Sequence, residues 1–481
     1  MQFASVTFLF FFLPVAILVY HLLYFSLKAQ NVWLLITSLV FYAWGEPTLV
    51  VLLIALILVN YFFGLALDTP NRNARRKKAL VICAVILNLA VLVVFRYLRG
   101  IWNSTYPLFA SGSGGLIGAL PRILGVSFIT LQGISYVVDV YRRDIPAERR
   151  ITYVALYLAM FPRVVAGPIV RYGGIAPQLA IRRTTWYGFS RGMCRFATGF
   201  AKRVLFAGTL GAVADRIFDM TSLSRDVLSI PALLAWLGIV AFALQVYHGF
   251  SGYSDMAIGL GAMMGFTFPE NFDYPYAALS VTSFWGRWHI TLVKWFDQYV
   301  YEPLGGAQVA NNDHMVRNLL TVCLLMGLWY CADLSFVLWG VWFFIFLLIE
   351  RVIGLEERRI PVVIRHFYTL LVVLIGCVFL RGNGIYQVLA YLSNLFGIGG
   401  NGFFSGLAWI FLRENAVWFA LAIVFATPVA KKIRLLLETD SMGIWGKLCS
   451  VVYPLAVGVA LILAVLYLAT GQYVTPVMPY N

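Results

Sequence analysis

The chain has 481 residues, of which 61% are hydrophobic and only 12% are charged, and its mean hydropathy is +0.83. A soluble globular domain is typically about 45–50% apolar and about 25% charged, so this composition excludes a soluble protein and favours a lipid bilayer as solvent. The net charge of +15 does not indicate nucleic-acid binding, because the basic residues lie in short clusters between apolar runs. That arrangement is the positive-inside pattern of membrane proteins.

Runs of roughly 20 apolar residues, the length that crosses a hydrocarbon core, recur along the chain. Lipid cannot satisfy the edge groups of an open sheet, and the runs are continuous where a barrel would alternate, so both β architectures are excluded. We therefore predict an all-α polytopic membrane protein with about ten or eleven spanning helices plus re-entrant or amphipathic helices. The runs are residues 6–27, 47–67, 79–94, 228–246, 318–348, 362–380, 416–430 and 451–469, with shorter ones at 31–44, 123–141 and 151–170.

The first apolar run is interpreted as a spanning helix and not as a cleaved signal. No Lys or Arg precedes Lys28, and no small-residue cleavage site follows the run. Placing the basic clusters in the cytoplasm, against anionic lipid, predicts that the N-terminus lies outside. The six cysteines show neither CxxC nor metal-ligand spacing, so we expect no metal site.

We interpret the chain as one membrane-embedded domain, residues 1–481, because it shows no internal repeat and no low-complexity linker. Residues 1–100 and 346–481 are predicted to be plain spanning helices. Residues 120–345 form a core that carries charged, Gly and Pro residues at membrane depth. Within it, residues 189–218 have the spacing of helices along the cytoplasmic face, and residues 266–276 form a turn-rich loop.

His289 is the first candidate for chemistry, since ionisable groups inside a membrane protein are expensive and are functional candidates. Its surroundings, SFWGRWHITLVKWFDQYVYEPLGG, are too polar for a lipid-facing helix and too aromatic for a solvated loop. A segment that is buried in protein or lines a cavity fits both properties, and imidazole is suited to accept a proton near neutral pH. The alternative is an interfacial amphipathic helix with an aromatic belt.

Two further stretches carry polar groups in apolar surroundings. In LQVYHGFSGYSDMAIGLG, His248 and Asp255 are candidates, and the alternative is tight packing through glycines with one hydrogen-bonded acid. In MGLWYCADLSFVLWGVWFF, Tyr330 can donate a hydrogen bond and Asp333 can orient a partner. The alternative there is a core tyrosine bonded to a backbone carbonyl.

These stretches resemble the membrane-bound O-acyltransferase family, specifically the bacterial branch with the membrane subunit of alginate O-acetylation and the D-alanine transfer protein of teichoic acids. The resemblance runs from the N-terminus to about Gly340 and continues weakly to the end. FSGYSDMAIGLG and FPENF favour the alginate-type branch. The matching stretches are LITSLVFYAW, GVSFITLQGISYVVDVYR, FPRVVAGPIVRY, FSGYSDMAIGLG, FPENFDYPY, FWGRWHITL, YEPLGG and FVLWG.

The resemblance implies a ring of helices around a thinned centre, with a tunnel that joins the two faces. It also implies two histidines, of which the one in the RWH motif corresponds to His289. The other, usually treated as the catalytic base, belongs to a GLWHG motif that is GLWYC here, so Tyr330 and Cys331 replace His and Gly. The motif YFDFSGYSD is also changed, to YHGFSGYSD, which introduces His248 and Gly249.

A tyrosine has a reference pKa of about 10 and is a poor general base at pH 7. Three interpretations follow. The protein is a non-catalytic scaffold of a polysaccharide-modification complex, or His289 or His248 has taken over the proton transfer, or Cys331 accepts the acyl group as a nucleophile. We favour the second. A transporter for an acylated carrier would show inverted repeats with paired broken helices, and the sequence shows none.

We therefore expect an O-acyltransferase of the bacterial inner membrane that moves acetyl from acetyl-CoA, its donor substrate, towards an exopolysaccharide or an extracytoplasmic acetyltransferase partner. The expected partners also include membrane lipid and exclude nucleic acid. His289 is the expected base, and Tyr330 occupies the catalytic position and bonds the acyl carbonyl. The other expected site residues line the donor tunnel (Trp285, Arg287, Trp288, Trp329, Asp333) or support the site (His248, Ser251, Tyr253, Asp255, Cys331).

Overall fold

The computed structural model contains helices and no strand in the part of the chain that it describes. Those residues are 3–44, 47–70, 72–98, 125–164, 167–221, 230–306, 312–331, 333–382, 384–398, 402–429, 431 and 444–471. The α-helices are α1 (Leu13–Leu22), α2 (Leu27–Ala43), α3 (Pro47–Leu67), α4 (Ala74–Leu92), α5 (Val126–Arg142), α6 (Ile151–Ala159), α7 (Phe161–Val164), α8 (Tyr172–Ala180), α9 (Trp186–Ala201), α10 (Gly208–Met220), α11 (Ala232–Met263), α12 (Val281–Trp285), α13 (Ile290–Phe296), α14 (Asn312–Tyr330), α15 (Leu334–Ile353), α16 (Val362–Arg381), α17 (Ile385–Leu395), α18 (Gly406–Phe425) and α19 (Ile444–Ala469).

Seven stretches of the described helices are long and apolar enough to cross a bilayer, and Phe8–Leu22 is a shorter apolar one. Large apolar side chains on these helices are exposed, as expected for groups that face lipid; Phe11 is 68% and Val51 is 71% exposed. The all-α polytopic prediction is confirmed. The seven stretches are Val50–Leu67, Ala74–Tyr97, Ala232–Met263, Leu334–Ile353, Val362–Arg381, Gly406–Phe425 and Val452–Ala469.

The apolar run at residues 318–348 forms parts of two helices, α14 and α15, and not one span. Asp333 begins α15, because its carboxylate accepts the backbone N–H of Ser335 at 2.8 Å and so caps the helix. The two helices then pack closely through glycines. A Cβ on Gly327 would lie 2.3 Å from the carbonyl oxygen of Phe336, and one on Gly340 would lie 2.5 Å from that of Cys323.

Two other predicted runs also have different bounds. Residues 151–170 are broken between α6 and α7, because Pro162 has no N–H to continue the hydrogen bonding of α6. The run at residues 228–246 instead continues through the glycine-rich motif as the 32-residue helix α11. Gly252 lets α11 pack closely against the end of α9, since a Cβ there would lie 2.6 Å from the carbonyl oxygen of Gly199.

The chain divides into two compact units, Met1–Phe196 with Met256–Pro269, and Ala197–Asp255 with Glu270–Asn481. Every candidate site residue of the sequence analysis belongs to the second unit, which is the one described below. The single-domain interpretation stays a prediction.

Candidate active site

The turn-rich loop before α12 fixes the backbone on both sides of His289. The N–H of Asp273 donates to the carbonyl of Arg287 at 3.0 Å. On the other side of the histidine, the N–H of Ile290 donates to the carbonyl of Asn271 at 2.9 Å. These bonds hold a stretch that has no regular helix of its own, so its shape comes from the loop.

Asn271 is the centre of this arrangement and is only 1% exposed. Its Oδ1 accepts both the backbone N–H (3.2 Å) and the hydroxyl (2.9 Å) of Thr291 in the first turn of α13. Its Nδ2 donates to the hydroxyl of Ser254 on α11 at 3.1 Å. One buried amide therefore joins the loop, α11 and the start of α13.

His289 precedes α13 in the left-handed backbone region, with φ 46° and ψ 47°. This conformation costs a non-glycine residue about 1–3 kcal/mol and persists only where the surroundings impose it. The imidazole is 2% exposed. Its ring centre lies 5.7 Å from that of Phe272, 6.4 Å from that of Phe250 and 5.9 Å from that of Trp329. His289 and the tryptophans around it are buried, as the sequence predicted, whereas Lys294, Asp297 and residues 302–305 of the same stretch are exposed.

Tyr330 ends α14 and is also 2% exposed. Its hydroxyl accepts the indole N–H of Trp288 at 3.4 Å, and its ring stands edge-on to Trp339 at 5.1 Å. The two motif segments therefore interlock: Trp288, next to His289, meets Tyr330, and Trp329, next to Tyr330, meets His289. The two segments are far apart along the chain, and folding brings them together.

An apolar pocket lies beside Tyr330. Apolar side chains of α11 and α16 and one thiol, Cys377, complete its wall. His289 is not among its lining residues in the described chain. The aromatic residues that line it are Tyr276, Phe284, Trp288, Tyr330, Trp339 and Phe343.

The residues expected in the donor tunnel differ in burial and in their contacts. Trp285 and Trp329 are buried but do not line the described pocket; the Trp285 ring contacts Trp339, and the Trp329 ring contacts His289. Arg287 is half-buried, and its Nε donates to the hydroxyl of Ser283 at 3.3 Å. Asp333 is exposed and caps α15. Trp288 is thus the one of these that reaches the pocket in the described structure.

The polar groups of α11 make separate contacts. His248 is fully buried, and its Nε2 lies 2.9 Å from the carbonyl oxygen of Ala422, so the Nε2–H tautomer donates there. Its ring packs on Phe206, with centres 5.0 Å apart. Asp255 forms an ion pair with Lys202 at 2.8 Å. Helix α11 contributes Phe250 to the surroundings of His289.

The remaining supporting candidates lie near these groups or at the end of α14. Ser251 and Tyr253 are buried on α11, and the guanidinium of Arg203 lies 5.4 Å from the centre of the Tyr253 ring. Cys331 is half-buried directly after α14. Within the described chain, no group of three or more His, Cys, Asp or Glu could hold a metal ion.

The sequence analysis missed two residues that position the site, Asn271 and Glu350. The carboxylate of Glu350, 5% exposed, accepts the backbone N–H groups of Val281 (2.6 Å) and Thr282 (2.8 Å) at the start of α12. This anchors the short helix that carries Phe284. The signal was available for Glu350, because an acid at the end of an apolar run needs a buried partner.

A sequence model of the membrane-bound O-acyltransferase family matches residues 146–385, a range that contains every candidate site residue. The chain is 37% identical over 404 residues to a probable alginate O-acetylase of Pseudomonas syringae, covering 83% of this chain and 76% of the relative. It is 37% identical over 407 residues to a probable alginate O-acetylase of Pseudomonas aeruginosa, covering 83% and 75%. It is 30% identical over 427 residues to a peptidoglycan O-acetyltransferase of Helicobacter pylori, covering 82% and 79%.

Proposed function

Because this chain belongs to the membrane-bound O-acyltransferase family, we propose that it moves an acetyl group from cytoplasmic acetyl-CoA to a hydroxyl group outside the membrane. The acceptor is a polysaccharide, or a partner protein that passes the acetyl group to one. The names of the relatives, alginate O-acetylase and peptidoglycan O-acetyltransferase, support a polysaccharide acceptor and an acetyl group. The apolar helices and basic clusters support the bacterial inner membrane with the N-terminus outside.

The observation that carries this proposal is the interlocking of the two motif segments. The hydroxyl of Tyr330 and the N–H of Trp288 meet at the wall of an apolar pocket, and the neighbouring residues His289 and Trp329 meet beside them. A buried imidazole and a nearby hydroxyl donor are groups that acyl transfer uses, as the proton acceptor and as the donor to the carbonyl oxygen.

In the proposed step, the oxygen of the acceptor hydroxyl attacks the carbonyl carbon of the acetyl thioester. A carbon–oxygen bond forms and the carbon–sulfur bond breaks. The hydroxyl proton passes to the imidazole of His289 and from there to the departing sulfur, which leaves as the CoA thiol. The carbonyl oxygen gains negative charge, and the Tyr330 hydroxyl, which accepts the Trp288 N–H, donates a hydrogen bond to it. Tyr330 thus acts as a neutral donor, which its high reference pKa allows.

Transfer of labelled acetyl from acetyl-CoA to polysaccharide, measured with the purified full chain in detergent, tests the proposal. We expect Tyr330→Phe to slow transfer by about 10²-fold, the usual loss on removing one such donor. The matched control is Tyr391→Phe, which removes a buried hydroxyl that donates to the carbonyl of Ala235, and which we expect to transfer at nearly the wild-type rate. A wild type that neither transfers nor binds acetyl-CoA would contradict the enzyme and leave a scaffold.

A further inference from the structure

We propose that the surface around the turn between α1 and α2 binds one anionic phospholipid, with its phosphate at Lys28, Arg182 and Arg183 and an acyl chain along α1. The residues of this surface belong to the first of the two compact units, Met1–Phe196 with Met256–Pro269. The inference concerns recognition of the bilayer and does not rest on the proposed acyl transfer, so the two can fail separately.

Arg182 joins the turn between α1 and α2 to the segment before α9. Its Nε donates to the hydroxyl of Tyr20, near the end of α1, at 2.8 Å, and its Nη1 donates to Oδ1 of Asn31 in α2 at 2.6 Å. The Nδ2 of Asn31 donates back to the carbonyl of Leu179 at 2.9 Å. Lys28, about one turn before Asn31, and Arg183, next to Arg182, are therefore carried by two segments that meet.

The positive charge of Arg182 has no counter-ion in the part of the chain that the structure describes. Its hydrogen-bond acceptors are neutral: the Tyr20 hydroxyl, the Asn31 amide and the carbonyl of Gln178. Its guanidinium carbon lies 4.2 Å from the centre of the Phe266 ring, and its Nη2 is buried without a hydrogen-bond partner. A cation taken out of water without an opposite charge is unfavourable, so an anion that binds beside it is stabilised.

The segments around this guanidinium are basic in sequence as well. Residues 149–214 contain ten Lys or Arg and no Asp or Glu, and residues 1–45 and 256–269 contain no acid either. Lys28 and Arg183 are exposed, and neither belongs to an ion pair among the described residues. Each Lys or Arg close to an anionic membrane surface favours binding by about fivefold. The charge of this surface therefore complements a phosphate.

An exposed apolar face of α1 leads to these cations, which favours a lipid over a soluble phosphate ester. Val15, Leu18 and Leu22 are 54%, 62% and 61% exposed, and their spacing of three and four residues places them on one face of α1. The ten residues of α1 rise about 15 Å, which is about the thickness of the hydrocarbon of one leaflet. An acyl chain along this face therefore ends at the turn that precedes Lys28.

Exposed aromatic side chains lie between the apolar face and the cations. Tyr and Trp rings are enriched at the depth of the lipid headgroups, where one part of the ring meets acyl chains and another meets water. The apolar face, the aromatic residues and the cations thus follow the order of acyl chain, glycerol region and phosphate in a phospholipid. The aromatic residues, in the turn after α1 and the first turn of α9, are Tyr24, Phe25, Trp186 and Tyr187.

Native mass spectrometry of the purified full chain in detergent tests the site, with phosphatidylglycerol and phosphatidylcholine of the same acyl chains as ligands. We expect the wild type to bind phosphatidylglycerol more tightly. The double change Lys28→Ala and Arg183→Ala should weaken phosphatidylglycerol binding by about 25-fold, or about fivefold for each cation, and should leave phosphatidylcholine binding nearly unchanged. Both side chains are exposed, so the variant should fold normally.

The matched control is the double change Arg76→Ala and Lys78→Ala in the first turns of α4, which removes the same charge from exposed side chains of the same unit. It should bind phosphatidylglycerol nearly as the wild type does. An equal loss in the control and in the Lys28→Ala and Arg183→Ala variant would reduce the binding to general charge and overturn the site.

Arg182→Gln tests the buried charge, because glutamine can still donate a hydrogen bond but carries no charge. We expect this variant to lose its preference for phosphatidylglycerol, with thermal unfolding measured to establish that it is folded. A folded Arg182→Gln protein with the wild-type preference would remove Arg182 from the site. The exposed double change decides the outcome if Arg182→Gln does not fold.

Two soluble competitors separate a lipid from other phosphates. Glycerol phosphate and acetyl-CoA, each added at the concentration of the lipid, should leave phosphatidylglycerol bound, since neither has a long acyl chain to lie along α1. Displacement by glycerol phosphate would assign the cations to a soluble phosphate ester, and displacement by acetyl-CoA would assign them to the acyl donor. Either result would overturn the inference, as would equal wild-type affinities for the two lipids.

Discussion

His289 and His248 are both buried histidines of the same unit, yet their surroundings differ in kind. His248 lies inside the continuous helix α11, with Nε2 bonded to the carbonyl oxygen of Ala422 and its ring packed on Phe206. His289 has a left-handed backbone between two short helices, and the side chain and carbonyl of Asn271 hold the residues that follow it. Burial alone therefore does not distinguish a packing histidine from a candidate base.

The backbone is what distinguishes them. A helix satisfies its own N–H and C=O groups, so the backbone of His248 needs no partner outside α11. Irregular backbone in a membrane protein is tolerated only where it is buried in protein or lines a cavity. The region around His289 is held by contacts with distant residues against local strain, and strained backbone of this type is concentrated at functional sites.

Of the substitutions that compare the two histidines, His289→Ala should have the largest effect on the rate of acetyl transfer. Loss of the imidazole base is expected to lower the rate of acetyl transfer by about 10²–10⁴-fold. The measurement is turnover of labelled acetyl-CoA, with size-exclusion chromatography to establish that the variant is folded. His314→Ala, in the exposed first turn of α14, serves as the control and should remain active. Wild-type turnover in His289→Ala would remove this residue from the mechanism.

Asn271→Ala should have the next largest effect, because it removes the side chain that holds the start of α13. The buried N–H of Thr291 would lose its partner, which costs about 1–3 kcal/mol of stability. A displacement of His289 by about 1 Å can lower kcat by up to about 10²-fold. Thermal unfolding and kcat are the two measurements.

The control for this change is Asn415→Ala, whose amide donates to the carbonyl of Phe411 in its own helix. It should leave kcat unchanged. An Asn271→Ala protein with full kcat would show that the loop does not position His289.

His248→Phe should have a small effect. Phenylalanine keeps the ring that packs on Phe206, and the carbonyl of Ala422 keeps a second donor, the N–H of Ala426. We expect the loss of about one hydrogen bond, 0.5–1.5 kcal/mol of unfolding free energy, and nearly unchanged turnover. A loss of turnover as large as that of His289→Ala would instead assign the base to His248.

The pH profile of kcat/KM should show no inflection from His289. Burial lowers the pKa of His289, which lies outside the seven apolar helices, to about 3. Since a lowered histidine pKa keeps the imidazole neutral above that value, kcat/KM, which reports the free enzyme, should not change through about pH 5–8 because of this residue. An inflection near the ordinary value of 6.5 would contradict the buried state. A base with so low a pKa is weak, so bound substrate must raise it for proton transfer.

The sequence predicted more of the fold than of the site. The lengths of apolar runs correctly indicated an all-α membrane protein, and the composition around His289 correctly indicated that its aromatic residues are buried, although the end of that stretch is exposed. The sequence did not indicate the break between α14 and α15, where one acid, Asp333, caps a helix inside an apolar run. Of the three tryptophans expected to line a tunnel, only Trp288 lines the described pocket.

Hydrophobicity is a property of each residue, so the sequence by itself determined that the protein lies in a lipid bilayer and is helical. It also contains the motifs that carry the family resemblance. Only the tertiary structure decided that Trp288 meets Tyr330 and that Trp329 meets His289. It also decided that Asn271 holds the start of α13 and that Glu350 holds the start of α12. These contacts join residues that are 20 to 69 positions apart. No local periodicity specifies such a pairing, because it follows from how whole helices pack and from which buried polar groups must find each other.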